Sequence, residues 1–173
     1  DVDIVLNLQV IAGGENYASL HDQLVERGFR KNSDTNAWRW EFPIPDGPPV
    51  LVEFLQGNNT GRKPGKEVPI DGEAVSALVI PYAEMSYEWY AEKEISAMLS
   101  GDNGQGDAGI VFETTRFADE VVFILLKAIS FHNRNEPKDA ADLIHVMRYA
   151  GEPEDIAEKF LDRIKSGKHQ TAI

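Results

Sequence analysis

The chain has 173 residues, of which 42% are hydrophobic and 27% are charged, and it contains no cysteine. The hydrophobic content supports a buried core and excludes a disordered chain, while the lack of thiols excludes a disulfide scaffold and any thiolate metal site or nucleophile. A formal net charge of -12 repels polyanions at long range and argues against a general DNA-coating protein.

Neither a membrane span nor a signal peptide is visible in the sequence. The longest apolar run, residues 121–126, is far shorter than a bilayer requires, and the first residues lack a basic segment followed by an apolar one. We therefore expect no membrane partner and a cytoplasmic location. Because the chain begins at Asp1 without a methionine, within an alternation of acidic and apolar residues, we also expect further residues upstream of Asp1.

The start of the chain, residues 1–10, predicts a β-strand, because polar and apolar side chains alternate along it. Successive side chains of a strand point to opposite faces, so Asp1 and Asp3 share one face while Val2 and Ile4 share the other. The two acidic side chains are therefore expected to point the same way.

A helix and three further strands are predicted in the rest of the first half. Residues 16–27 carry apolar side chains at helical spacing, and Gly28 is suited to end such a helix. Residues 29–31 and 38–42 predict paired strands around a polar turn. Residues 50–55 predict a strongly apolar strand.

The second half is expected to be mostly helical. Residues 84–99 predict a helix, and residues 101–109 predict a flexible, glycine-rich acidic loop. Three further helices are predicted over residues 117–133, 137–149 and 154–165.

Together these elements predict an α+β fold, with a mixed β-sheet flanked by helices in residues 1–80 and a mainly helical region in residues 81–173. In the second of the three C-terminal helices, Leu143, Ile144 and Met147 are expected to face inward.

Three carboxylates in the first half form a candidate metal site. Asp1 and Asp3 are expected about 7 Å apart on one face of a strand, where two carboxylates can share one or two hard cations. Glu53 is the single charge in an apolar strand and would supply the third carboxylate, because a buried unpaired carboxylate is costly. The alternative is that Asp1 and Asp3 are simply solvated and that Glu53 lies exposed on a strand face.

A second group of charged residues lies in the second half. Lys127 interrupts an apolar helix, and Arg134 follows two turns later on nearly the same face. Asp139 and Asp142 are three residues apart and therefore neighbours on the next helix. These residues could form a cationic site for a nucleotide phosphate. They could equally be a lysine that reaches to solvent and first-turn carboxylates, or ion pairs that hold the two helices together.

The order of these motifs resembles the nucleotidyltransferase-like toxins of the AbiEii family, within the DNA polymerase β-like superfamily. The similarity runs from residue 1 to about residue 149, and its most specific part is the order of Lys127, Arg134, Asp139 and Asp142 on two successive helices. The matching segments are Asp1-Val2-Asp3-Ile4-Val5-Leu6, Gly28-Phe29, Val52-Glu53-Phe54-Leu55, Leu125-Leu126-Lys127-Ala128-Ile129-Ser130-Phe131, Arg134 and Lys138-Asp139-Ala140-Ala141-Asp142-Leu143.

The resemblance implies a nucleotidyltransferase-like fold, with a mixed sheet flanked by helices and a helical C-terminal region packing on it. It also implies metal-dependent transfer of a nucleotidyl group from a nucleoside triphosphate to a hydroxyl acceptor, which is RNA in some members. Asp1 and Asp3 would bind Mg²⁺ or Mn²⁺, and Glu53 would take the third carboxylate position. Lys127, with Arg134, would contact the triphosphate.

By the same resemblance Asp139 would be the essential acid of the second half. The family's Gly-Ser motif would precede the first strand. Without that motif the protein would be a non-catalytic relative that binds a partner such as an antitoxin. Trp38, Trp40 and Trp89 could supply the interface, although aromatic stripes more often belong to a core. A third alternative is a different metal-dependent phosphotransferase or hydrolase that uses the same acidic residues.

Overall fold

The structure, a computed structural model, describes residues 2–7, 19–32, 37–58, 61, 63–100 and 107–172. It is a mixed α+β structure, in agreement with the predicted class. The chain divides into two compact units, one formed by Asp1–Met85 with His169–Ile173 and the other by Ser86–Lys168.

Eight strands and four α-helices are present in the described part of the chain. The strands are β1 (Val2–Val5), β2 (Arg30–Lys31), β3 (Arg39–Phe42), β4 (Val50–Gln56), β5 (Glu67–Pro69), β6 (Ser76–Val79), β7 (Tyr90–Ser100) and β8 (Asp107–Ala118). The α-helices are α1 (Leu20–Glu26), α2 (Glu120–Arg134), α3 (Pro137–Tyr149) and α4 (Pro153–Ser166), and a 3₁₀ helix covers Ala83–Tyr87.

Strand β4 organises the sheet of the first unit by hydrogen bonding along both of its edges. On one edge the C=O of Leu55 accepts a hydrogen bond from the segment that follows β1, and β1 runs parallel to β4. On the other edge the N–H of Phe54 donates to the C=O of Trp38. The C=O of Gln56 accepts from the N–H of Ile80. Phe54 and Gln56 are two residues apart, so their backbone groups point to the same edge of β4. Strands β3 and β6 therefore occupy successive parts of this second edge.

The outer strands complete this sheet. Strand β2 pairs antiparallel with β3, and β5 pairs antiparallel with β6, so the path is β2-β3-β4-β6-β5, with β1 attached to β4. The strands predicted over residues 29–31, 38–42 and 50–55 are confirmed by β2, β3 and β4. The strand predicted over residues 1–10 is confirmed for Val2–Val5, while residues 1 and 8–10 lie outside the described residues.

One face of the sheet carries the core of the first unit. Trp40 and Val52 are register partners on neighbouring strands, and both are buried together with Phe54. Helix α1 contributes Leu20 and Leu24, which pack against this cluster. The opposite face of β4 therefore carries Glu53, because its side chain alternates with those of its buried neighbours.

Hydrogen bonds fix both ends of helix α1. At its start the Ser19 side chain accepts from the N–H of Asp22. At its end Gly28 has a φ of 86°, and the N–H of Phe29 donates to the C=O of Leu24, which is the arrangement of a Schellman motif. Only a glycine takes this backbone conformation without strain, so the predicted role of Gly28 is confirmed.

The second unit begins with a long β-hairpin, so the helix predicted over residues 84–99 was wrong. Strands β7 and β8 pair antiparallel from Tyr90 opposite Ala118 to Ser100 opposite Asp107. The apolar side chains in this segment have helical spacing, but pairing with β8 makes the segment extended. Periodicity within one segment does not reveal such pairing. Residues 101–106 of the predicted loop lie outside the described residues, and residues 107–109 belong to β8.

The three predicted C-terminal helices are confirmed as α2, α3 and α4. Asp119 caps α2, because its Oδ1 accepts from the N–H of Val122 at 2.9 Å. Its Oδ2 also accepts from Nη2 of Arg163 in α4 at 2.8 Å. This one carboxylate therefore links the start of α2 to α4.

The expected orientation of α3 was wrong for two of its three apolar residues. Ile144 is 53% exposed and Met147 is 60% exposed, whereas Leu143 is half-buried. The buried position one turn before Leu143 is held by Asp139. The helix is thus rotated so that a carboxylate, and not the expected apolar stripe, faces inward.

Within the described ranges, no helix is both long enough and apolar enough to cross a membrane.

The close approach of Gly57 to Glu84 leads to a stability prediction. A Cβ at Gly57 would lie 2.1 Å from Oε2 of Glu84 and 2.8 Å from its backbone N, so Gly57→Ala requires the backbone to shift. We expect it to lower the free energy of unfolding by about 1–3 kcal/mol, as other overpacked sites do.

Gly47→Ala is the matched control, because its Cβ would meet nothing closer than Ile44 at 3.5 Å. The control should stay within about 0.5 kcal/mol of the wild type. Urea denaturation measures both variants, and equal stability of the two would contradict the predicted clash.

Candidate functional site

Two of the predicted metal-binding carboxylates lie side by side in the first unit. In the parallel pairing of β1 with β4, Asp3 is the register partner of Glu53. Register partners on neighbouring strands project from the same face of a sheet, with their backbones about 4.8 Å apart. The sheet therefore brings these two carboxylates to one face, opposite the core.

Glu53 is also paired with an arginine from its other neighbour. Arg39 in β3 is the antiparallel register partner of Glu53, and its Nη2 lies 2.5 Å from Oε1 of Glu53. The guanidinium also stacks over the ring of Trp38, at 4.7 Å from the ring centroid. These contacts fix the position of the Glu53 carboxylate and partly neutralise it.

Asp3, in contrast, is exposed, and no ion pair to it is present within the described part of the chain. Asp3, Glu53 and Arg39 thus form a row across three strands, which we call the acidic row. It holds two carboxylates and one guanidinium, so its net charge is negative and it can attract a cation.

Asp1, the third predicted metal ligand, lies outside the described residues. Among the residues that are described, no group of three or more acidic, histidine or cysteine side chains is placed to hold a metal ion. The assignment of Asp1, Asp3 and Glu53 as metal ligands therefore stays a prediction.

The charged residues predicted in the second half meet in the second unit, between α2 and α3. Arg134 binds Asp139 through two hydrogen bonds, from Nε to Oδ2 and from Nη2 to Oδ1, each 2.7 Å long. Lys127 lies with its Nζ 2.7 Å from Oδ2 of Asp142 and 3.6 Å from Oδ1 of Asp139. We call these four residues the helix clamp.

Asp139 is the centre of the helix clamp, and its side chain is 0% exposed. The two hydrogen bonds from Arg134 hold the pKa of Asp139 below its usual value, and the nearby charge of Lys127 acts in the same direction, while burial opposes both. Its position in the first turn of α3 also suits a negative charge, because the helix dipole is positive there.

The two positive and two negative charges of the helix clamp cancel. A cationic site for a phosphate needs positive charge that is not already paired, and here a phosphate would have to displace Asp142 from Lys127. The geometry corresponds to the alternative in which these residues hold the two helices together. The roles of Lys127, Arg134 and Asp139 in catalysis or nucleotide binding stay predictions.

Sequence reasoning missed Arg39 and left two alternatives for two tryptophans. Arg39 could have been found from the hairpin of β3 and β4, because pairing Phe42 with Val50 places Arg39 opposite Glu53. Trp40 and Trp89 are only 1% and 4% exposed. For these two residues the interface alternative was wrong and the core alternative is confirmed, because large aromatic side chains contribute most when they are buried.

Comparison with known proteins gave no significant match to a family model, to a curated protein or to a solved structure. The resemblance to the AbiEii family therefore stays a prediction, and the geometry of the two charged clusters is the basis of the functional proposal.

The helix clamp predicts how stability depends on Asp139. Asp139→Asn removes a charge that accepts two hydrogen bonds, and we expect a loss of about 2 kcal/mol at pH 7, since hydrogen bonds to charged groups contribute about 1.5–3 kcal/mol and Arg134 is partly screened by solvent. Because the pKa of folded Asp139 is lowered from 3.8, its contribution is complete above that pH and is lost as the pH falls through the lowered value. The difference from the wild type should therefore shrink at pH 3.

Asp162→Asn is the matched control, since Asp162 has one exposed contact, 3.4 Å from Lys165. It should change stability by less than about 0.5 kcal/mol. Urea unfolding at both pH values measures these effects. An Asp139 variant as stable as the wild type at pH 7 would show that the clamp does not stabilise the helices.

Proposed function

We propose that the chain is a metal-dependent nucleotidyltransferase of the AbiEii type, which transfers a nucleotidyl group from a nucleoside triphosphate to a hydroxyl acceptor. The observation that supports it is the parallel pairing of β1 with β4, which sets Asp3 beside Glu53 on one face of the sheet. The motif order along the sequence is the second support, and RNA is the acceptor that the resemblance suggests.

The donor atoms of the acidic row fit a hard divalent cation. Carboxylate oxygens are the ligands that Mg²⁺ and Mn²⁺ prefer, and Asp3 and Glu53 provide them from two adjacent strands. Asp1 would be the third ligand in this proposal. When bound, the ion would polarise the phosphoryl group and lower the pKa of the acceptor hydroxyl.

The two carboxylates of the acidic row would have different roles. The carboxylate of Glu53 is held by Arg39, so it would keep a fixed position and bind the metal ion. Asp3 has no ion pair among the described residues, so besides binding the ion it would be the carboxylate that takes the proton of the acceptor hydroxyl.

Substitution of the acidic row tests this proposal. Asp3→Asn and Glu53→Gln should each lower Mg²⁺-dependent incorporation of labelled nucleotide into RNA by about 100-fold or more, since a catalytic metal supplies several kcal/mol of transition-state stabilisation. Release of pyrophosphate should fall in parallel, because transfer forms one pyrophosphate for each nucleotide incorporated.

Glu41→Gln is the matched control, because Glu41 pairs with Arg30 on β2 and lies on the same face, outside the acidic row. It should keep the wild-type rate. Activity in the Asp3 and Glu53 variants equal to that of the control would contradict the proposal. Pyrophosphate release without incorporation would instead indicate a hydrolase.

The β7–β8 hairpin favours a second candidate, a protein that docks a partner such as an antitoxin without turnover. Exposed apolar side chains lie together on one face of this two-stranded ribbon, where Met98 pairs with Ile110 and Phe112 lies two residues further on. Such ribbons are marginally stable by themselves in water. The exposed fractions are 67% for Met98, 60% for Ile110 and 61% for Phe112. The net charge of -12 favours a basic partner.

Co-expression with a basic cognate antitoxin separates the two candidates. Phe112→Glu should abolish co-purification, whereas Asp3→Ala should retain it, because the two residues belong to different units. Glu113→Gln, on the same strand as Phe112, is the matched control and should retain the partner. Unchanged co-purification with Phe112→Glu would rule out docking through the hairpin.

A further inference from the structure

The outward face of helix α3 carries apolar and basic side chains but no carboxylate. Ile144 and Met147 are more than half exposed, and Arg148 lies beside Ile144 on the next turn, because residues four apart share a face. Arg148 is exposed and forms no ion pair within the described residues. The two carboxylates of α3, Asp139 and Asp142, are both turned toward the helix clamp.

The outward face of helix α4 has the opposite charge. Leu161 is 53% exposed and Ile164 is 47% exposed, so this helix also presents apolar side chains to solvent. Glu154 and Glu158 lie on the same side of the helix as Leu161 and are exposed, and Lys165 on this side is paired with Asp162 at 3.4 Å. No basic partner for Glu154 or Glu158 is found in the described part of the chain, so this side of the helix carries uncompensated negative charge.

A groove of about 420 Å³ lies at the junction between α3 and α4. Its basic residue, Lys159, is already bound to Glu120 at 2.8 Å, so the groove is negative in sum. A guanidinium binds carboxylates through parallel hydrogen bonds, and an arginine is therefore the side chain that this groove suits best. The lining residues are Ala150, Gly151, Asp155, Ile156, Glu158, Lys159 and Asp162.

We propose that the chain forms a two-fold dimer in which α3 of each copy packs on α4 of the other. Arg148 of one copy would enter the acidic groove of the second copy, beside Glu158. The apolar pairs of the two helices, Ile144 with Met147 and Leu161 with Ile164, would be covered in the same contact. In a two-fold dimer each such contact occurs twice.

A second copy is the occupant that these faces favour, because one chain carries both complementary halves. Opposite charges meet in the α3–α4 contact, and like charges at the centre of an interface would oppose it. The net charge of -12 repels a second copy at long range. At physiological salt this repulsion is screened beyond about 8 Å, while charges in direct contact are screened much less.

Exchanging the charges across the contact tests the dimer. Sedimentation velocity in physiological salt should show the wild type passing from monomer to dimer as its concentration rises through the micromolar range. Arg148→Glu and Glu158→Arg should each raise the dimer dissociation constant at least about 10-fold, since each places like charges together. The double variant should return to within about 3-fold of the wild type, because the pair is restored in reverse.

Lys93→Glu is the matched control for charge, because Lys93 is exposed on β7, away from both helices along the chain, and undergoes the same change as Arg148→Glu. It should dimerise as the wild type does. All of these positions are exposed, so circular dichroism should report folded variants. A wild type that stays monomeric throughout, or single variants that dimerise normally, or a double variant without recovery, would overturn the proposal.

Discussion

The first unit depends on the hydrogen bonding of a single strand, β4, along both of its edges. Because β1 occupies one edge while β3 and β6 divide the other, β4 has no free edge over most of its length. Because its side chains alternate between the two faces of the sheet, one face carries the core and the other carries the acidic row. Val52 and Phe54 join the core, and Glu53 meets Asp3 and Arg39 on the other side. The core and the acidic row are thus two consequences of one register.

The second unit relies less on apolar burial and more on paired charges. Asp139 has the most buried position of α3, and Asp119 is buried at the start of α2. Each is bound by an arginine, Arg134 and Arg163 respectively, so neither carboxylate is left uncompensated. Paired charges demand a fixed geometry, whereas apolar contacts tolerate some sliding. The helices can therefore hold one arrangement even though their apolar side chains are not all inside.

The sequence predicted the elements well where local sequence signals are strong. It failed where contacts with residues elsewhere in the chain determine the secondary structure. Strand β4 and helix α3 were predicted with nearly their observed bounds, β4 from its run of apolar residues and α3 from its helical pattern. Strand β7 was predicted as a helix, because only its pairing with β8 makes it extended. The closeness of Asp3 and Glu53 was expected, but the contribution of Arg39 required the register between β3 and β4. A register is set by pairing, which periodicity along one strand does not reveal.

The orientation of α3 explains why the second unit offers surfaces for association. Once Asp139 takes the inward position, Ile144 must turn outward, since residues five apart lie about 140° from one another around a helix. The buried ion pair thus exposes the apolar stripe that the helix would otherwise use for its own core. The hairpin exposes Phe112 and its neighbours for a different reason, because a two-stranded ribbon has no second layer to cover its faces. The exposed apolar side chains of the helices and those of the hairpin therefore have separate physical causes.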